Sequence, residues 1–198
     1  MIVSPSVHLP KTLRVTDEEF LEFVKSNPDI RFERAAVGEL IAMSPTGSQS
    51  GHYNSELNGD VVLWNRQQRL GKVFDSSTGF HLPNGAIRSP DVAWVAQDRW
   101  DALAVEQQKG FAPLCPDFVI ELVSETDDLA TIQAKMQEYI ENGCRLGWLI
   151  NPKTRTVEIY RCGGGVEMVS FDTAISGEDV LLGFQLNLRV LFSKGHIE

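Results

Sequence analysis

The sequence predicts an α/β (α+β) fold with a mixed β-sheet core flanked by helices. Two long stretches carry helical periodicity, at 49–69 and from about 124 to 141. Between and around them lie short runs rich in Val, Ile, Phe, Trp and Tyr, the composition of strands. These runs come in groups, giving the order helix, several strands, helix, several strands. That order argues for a mixed sheet and against regular β-α-β-α alternation.

Residues 1–15 contain Pro and Ser and predict an arm. Thr16 is an N-cap with Glu19 as its capping-box partner, opening a short helix that stops before Asn27-Pro28. Residues 30–43 read as a hairpin that turns near Val37-Gly38 and ends at Ser44-Pro45-Thr46-Gly47. The helix at 49–69 has Tyr53, Leu57, Val61 and Trp64 on one face, with Gly71 expected to cap it. Residues 72–82 and 87–95 predict two strands joined at Pro83-Asn84-Gly85, followed by a short helix at 98–108 and a loop at 110–116. The run at 117–123 is the most hydrophobic and predicts a central strand buried on both faces. Ser124 or Thr126 is expected to cap the next helix, with Glu125, Asp127 and Asp128 in its first turn, where acids complement the helix dipole. That helix ends at Asn142-Gly143. Strands follow at 145–150, 156–161 and 166–171. Gly163-Gly164-Gly165 joins the last two and reads as a hairpin turn, since a phosphate loop needs a helix after it. Residues 180–192 give one or two short apolar segments.

A length of 198 residues fits one domain with an extension, placed here at 30–198 and 1–29. No apolar run reaches membrane-spanning length and no basic-then-apolar leader is visible, so the expected location is the cytoplasm. Cys115, Cys144 and Cys162 are odd in number and contain no C-x-x-C; they indicate neither a zinc site nor a disulfide framework and read as buried free thiols. The net charge of −9 argues against a simple basic nucleic-acid binder and predicts weak non-specific DNA binding. It does not exclude a nuclease, because acids at a metal site add negative charge that the ion reverses.

Asp91, Glu121 and Lys135 are the candidate catalytic residues. Asp91 ends Ser89-Pro90-Asp91 and opens the apolar run Val92-Ala93-Trp94-Val95. Glu121 lies inside Phe118-Val119-Ile120-Glu121-Leu122-Val123, and an acid inside a buried strand is costly unless it is paired or holds a metal. Two such acids on successive strands, with a lysine nearby, suit Mg²⁺-dependent phosphodiester cleavage, with Asp91 and Glu121 as metal ligands and a Leu122 carbonyl as a further donor. Asp117 and Glu121 share a strand face about 13 Å apart, too far for one ion, so Asp117 reads as a solvated strand-start residue. Lys135 falls roughly 90° from the centre of the stripe Leu129, Ile132, Met136, Tyr139 and Ile140, at the edge of the buried face. Each residue also has a plainer role: Asp91 in a turn, Glu121 as a structural ion pair, Lys135 as a surface lysine with a packed stem. His52 can contact phosphate or be a solvated or capping residue, and Glu56, one turn on, can be an acid behind the metal ligands; both are candidate substrate-binding residues.

The chain resembles the Uma-two type restriction endonucleases of the PD-(D/E)xK nuclease superfamily. The resemblance rests on Arg31-Phe32-Glu33, Gly38 to Pro45, His52, Ser89-Pro90-Asp91-Val92, residues 116–124, Lys135 with Tyr139, Gly143, Trp148-Leu149-Ile150 and Asn151-Pro152, and covers roughly residues 30–192. It implies a restriction-endonuclease-like fold and a Mg²⁺-dependent endonuclease acting on DNA, with Mn²⁺ as a possible substitute ion. By position, Asp91 is the motif aspartate and Glu121 its second acid. The superfamily lysine lies two residues after that acid, where this chain has Val123, so the resemblance implies that Lys135 serves from the helix. Two rival readings stand beside it. One is a nuclease-fold binding module without catalysis, favoured by the acidic balance and the missing strand lysine. The other is an interaction protein whose glycine-turned C-terminal hairpin pairs with a second copy; a homodimer is compatible with the nuclease reading as well.

Overall fold

The computed structural model describes residues 13–192. The expected arm at 1–15 lies almost wholly outside the described residues. Helix α1 (Asp17–Ser26) begins with the expected capping box, the Glu19 N–H donating to Thr16 Oγ1 and the Thr16 N–H to Glu19 Oε2. Strands β1 (Arg31–Arg34) and β2 (Leu40–Met43) pair antiparallel, Arg31 opposite Met43, as the hairpin reading requires. Phe20 of α1 is fully buried in a small core with Val15, Phe32, Leu40 and Ile87.

Helix α2 (Ser48–Gln68) buries Leu57, Val61 and Trp64. Its cap is Arg69 in the left-handed region, not Gly71. Gly71 instead opens β3 (Gly71–Asp75), where a Cβ would collide with the Val95 carbonyl oxygen and the Trp94 ring. The two long strands expected at 72–82 and 87–95 are each broken. Their inner ends form β4 (Phe80–His81) and β5 (Ile87–Arg88) around the Pro83-Asn84-Gly85 turn; their outer ends form β3 and β6 (Val92–Ala96). The turn at Ser76-Ser77, tied to Asp75 Oδ1, interrupts the first; Pro90, which has no N–H to give a ladder, interrupts the second. The helix expected at 98–108 is two short ones, α3 (Gln97–Asp101) and α4 (Val105–Lys109).

Strand β7 (Phe118–Leu122) is buried throughout. Helix α5 (Leu129–Glu141) is capped by Asp128, whose side chain accepts from the Thr131 N–H, so Glu125 and Asp127 precede the helix and do not form its first turn. Then come β8 (Leu146–Asn151), β9 (Thr156–Arg161), β10 (Glu167–Ser170), β11 (Ile175–Ser176), β12 (Gln185–Leu186) and α6 (Leu188–Leu191).

The main sheet has the order β10-β9-β8-β7-β6-β3, and a second sheet the order β2-β1-β5-β4. Among the paired strands of the described residues only β7 and β8 run parallel, joined by α5 as the crossover. The period-2 alternation splits the main sheet into two faces. Val92, Trp94, Phe118, Ile120 and Trp148 pack under α2 and the C-terminal segment. Ala93, Val95, Val119 and Leu149 pack under α5 with Met136 and Tyr139. A Cβ at Gly147 of β8 would meet Met136 Cε at 2.6 Å, so the missing side chain lets α5 lie close to the sheet. Cys115 and Cys144 are buried free thiols as expected, whereas Cys162 is exposed. No helix among the described residues is long and apolar enough to cross a membrane.

Candidate active site

The β6–β7 ladder ends at Val92 opposite Ile120, which leaves Asp91 beside Glu121 and Leu122. Asp91 uses both oxygens to tie three elements together. Oδ2 accepts the Leu122 N–H of β7 at 2.8 Å and Oδ1 accepts Asn54 Nδ2 of α2 at 2.8 Å. Burial pushes the Asp91 carboxyl above its ordinary range, against the opposing pull of the Leu122 N–H, Lys135 and Asn54.

Glu121 follows Val119 on the α5 face of β7, so its carboxylate meets that helix. Its Oε1 accepts Lys135 Nζ at 2.8 Å and the Tyr139 hydroxyl at 2.9 Å. Burial pushes Glu121 up to about 7, Lys135 opposes that, and the neighbouring charges of Asp91 and Glu33 add to it. Tyr139, one turn beyond Lys135, is held well above its ordinary value by burial and then by Glu121 and Glu33, so it remains a hydroxyl donor.

Lys135 is not a surface lysine. Its side chain is 9% exposed and spans two carboxylates, Glu121 and, at 2.9 Å, Glu33 Oε1. Burial works against the ammonium, but Glu121 and Glu33 outweigh it and raise its pKa. Glu33, on β1 of the second sheet, also accepts the Ser89 N–H at 2.9 Å and Arg88 Nη1 at 3.1 Å. Although burial opposes its ionisation, Lys135, Arg88 and the Ser89 N–H together hold Glu33 below the ordinary value. Arg88 continues the chain to Glu138 Oε2 at 2.6 Å. Neither Glu33 nor Asn54 stands out in the sequence. Arg31-Phe32-Glu33-Arg34 has the polar alternation of a surface strand, yet Glu33 is 3% exposed, enclosed by Lys135 of α5, Arg88 of β5 and Ser89.

A cleft of about 340 Å³ opens beside Asp91, lined by Asn54, Asn58 and Ser55 of α2, Asp75 at the end of β3, Ser76 after it, and Arg31. Asn54 Oδ1 is buried there without a partner among the described residues. His52 and Glu56 are exposed on α2 and do not line this cleft; the His52 ring lies 5.7 Å from that of Tyr53. Asp117, expected to be solvated, is 2% exposed: Oδ1 pairs with Arg99 Nη1 at 2.9 Å and Oδ2 accepts the Ala96 N–H at 2.8 Å. It fastens α3 to the start of β7 and lies apart from the site.

The donor set fits a hard divalent cation. Among the described residues, Glu33, Asp91, Glu121 and Glu138 face Arg88 and Lys135, four carboxylates against two cations. Glu121 has a second carboxylate oxygen and Asp91 retains lone pairs, so two adjacent strands offer carboxylate oxygens beside one another. No group of three or more His, Cys, Asp or Glu side chains that could cage a metal occurs among the described residues. A two-carboxylate site leaves the remaining positions to water, as a hard divalent cation tolerates.

A mixed sheet with paired acids at its strand ends and a lysine reaching in from the crossover helix defines a restriction-endonuclease-like fold. Residues 17–189 match the Uma2 family, described as "Putative restriction endonuclease", and the chain belongs to that family. Among solved structures it is similar to one described as a "putative nuclease belonging to DUF820" from Anabaena variabilis, with 21% identity, a TM-score of 0.76, and coverage of 90% of this chain and 98% of that one. No functionally curated protein matches the chain.

Proposed function

We propose that this protein is a metal-dependent endonuclease that hydrolyses phosphodiester bonds of DNA, with Asp91 and Glu121 holding Mg²⁺ and Mn²⁺ able to replace it. The observation that carries this reading is Lys135 Nζ at 2.8 Å from Glu121 with Asp91 on the adjoining strand end. Side chains that the sequence separates by up to 44 positions lie close together, with more carboxylates around them than cations, which supports this reading. A Mg²⁺ ion held there supplies a lowered water pKa and charge neutralisation at the phosphate. The chain's own residues do the rest. The Leu122 N–H and Asn54 fix the Asp91 carboxylate, so it reaches its ligand without reorganising. Lys135 stays charged and offsets negative charge growing on the scissile phosphate. Arg31, Asn58, Ser55 and Ser76 give the cleft donors for the flanking phosphates, contacts that position a strand without reading its sequence. His52 and Glu56 have no part in this reading.

The test is nicking and linearisation of supercoiled DNA with Mg²⁺, with Mn²⁺ and with EDTA. Asp91→Asn and Glu121→Gln, which keep shape and remove charge, are expected to lower the rate by more than about 100-fold, beyond the effect usual for residues behind the ligands. Cleavage at the wild-type rate by both variants would sink the proposal.

A further inference from the structure

Lys135 has three ammonium protons and two of them go to carboxylates with different fates. Glu121 is a ligand in the reading above, and an oxygen given to a divalent cation binds a lysine less well. A lysine whose only counter-ion was Glu121 would then be a buried ammonium beside a divalent cation, driven out by repulsion and by its own desolvation. Glu33 prevents this. Its carboxylate is pinned by the Ser89 N–H and by Arg88, which is itself anchored on Glu138; Glu138 is in turn held by Asn84 Nδ2 at 3.0 Å. Ser89 lies two residues before Asp91, so the same segment that carries a metal ligand also fixes Glu33. The Ser89 N–H, Arg88 and Glu138 all lie outside the metal's donor set.

We infer that Glu33 is a positioning residue, the resident counter-ion that keeps the Lys135 ammonium in place when Glu121 engages a cation. The inference rests on the reading of Asp91 and Glu121 as ligands. It also explains why a hairpin from the second sheet belongs to the site: β1 delivers the carboxylate that a lysine borne on a helix needs.

The experiment follows the Lys135 ammonium by NMR on ¹⁵N-lysine-labelled full-length protein, with Lys135→Met to assign the signal. A protected signal is expected in the wild type, with and without Mg²⁺. It is also expected in Glu121→Gln, where the second carboxylate has lost its charge, and is expected to be lost in Glu33→Gln. Loss in Glu121→Gln, loss in the wild type on adding Mg²⁺, or retention in Glu33→Gln overturns the inference. The Glu121→Gln and wild-type arms decide it even if Glu33→Gln does not fold. In cleavage assays Glu33→Gln is expected to lower kcat by about 10–100-fold with KM changed less than about threefold. In a Lys135→Met background it should cost less than about twofold more, since the two residues act as one unit. Additive losses would overturn it. If the wild type cleaves nothing, the nuclease reading fails by itself, while the NMR arms still report on Glu33.

Discussion

Replacing Glu121 by Gln should make the metal-free protein more stable relative to wild type as pH rises. In the folded protein burial holds the Glu121 carboxyl up at about 7, against an ordinary value of 4.5. Between those values the folded state keeps a proton that the unfolded chain has released, so wild-type stability falls as pH increases and levels off above 7. Each pH unit in that window costs about 1.4 kcal/mol. From pH 5.5 to 7 the loss is therefore on the order of 2 kcal/mol. Glutamine has no proton to release and shows no such term. Its own pairing with Lys135 does not vary over this window, because the lysine is charged throughout. The Glu121→Gln variant therefore gains about 2 kcal/mol on wild type between pH 5.5 and 7.5, whatever their offset at pH 5.5. For a chain of this length that is a shift of about 4–8 °C in relative Tm. Thermal and urea melts of both proteins in EDTA at the two pH values measure it. A gap that stays constant with pH would show that Glu121 titrates as an ordinary carboxylate, and the argument for an electrostatically strained, cation-seeking site would fail.

Mg²⁺ affinity should rise with pH up to about 7, the value to which burial raises Glu121, with release of up to one proton per ion; calorimetry in two buffers of different ionisation enthalpy counts that proton. Arg31→Ala should weaken DNA binding across all sequences and lower the salt dependence by about one phosphate contact, read from affinity against salt concentration. Gly71→Ala places a methyl group against the backbone oxygen of Val95 and should destabilise by about 1–3 kcal/mol in a thermal melt, because backbone cannot give way as a side chain can.

The two acids are legible in the sequence because physical cost marks them: Glu121 interrupts an apolar strand and Asp91 opens one. Lys135 is legible only through helical phase, which puts it at the edge of the buried stripe but does not say what it meets. Glu33 belongs to the Arg31-Phe32-Glu33 run that carries the resemblance, but its role is not legible, since its partners Arg88, Ser89 and Lys135 lie more than fifty positions away and no local period records them. Asn54 is hidden for the opposite reason. It sits on the polar side of α2, where His52 and Glu56 are chemically more conspicuous, and only the docking angle of the helix decides which polar stripe faces the cleft. Asp117 reads wrongly as solvated because its partners, Arg99 and the Ala96 N–H, come from an earlier strand end and the short helix after it.

The missing strand lysine and the acidic net charge share one physical account. Val123 follows Glu121 on the α5 face of the sheet and packs beneath that helix. A lysine there would carry its ammonium under α5 with no carboxylate of its own, competing for Glu121. Moving the ammonium to α5 places it between Glu121 and Glu33, at the cost of one more buried acid. In the proposed reading the site thereby gains a lysine with a second counter-ion, and a surplus of negative charge that a divalent cation would relieve. Around such a centre, in a chain of net charge −9, DNA without a divalent cation meets repulsion at the point where it must be held most closely. On the proposed function, substrate binding and metal binding would be coupled: the ion would supply the positive charge that DNA needs at this centre.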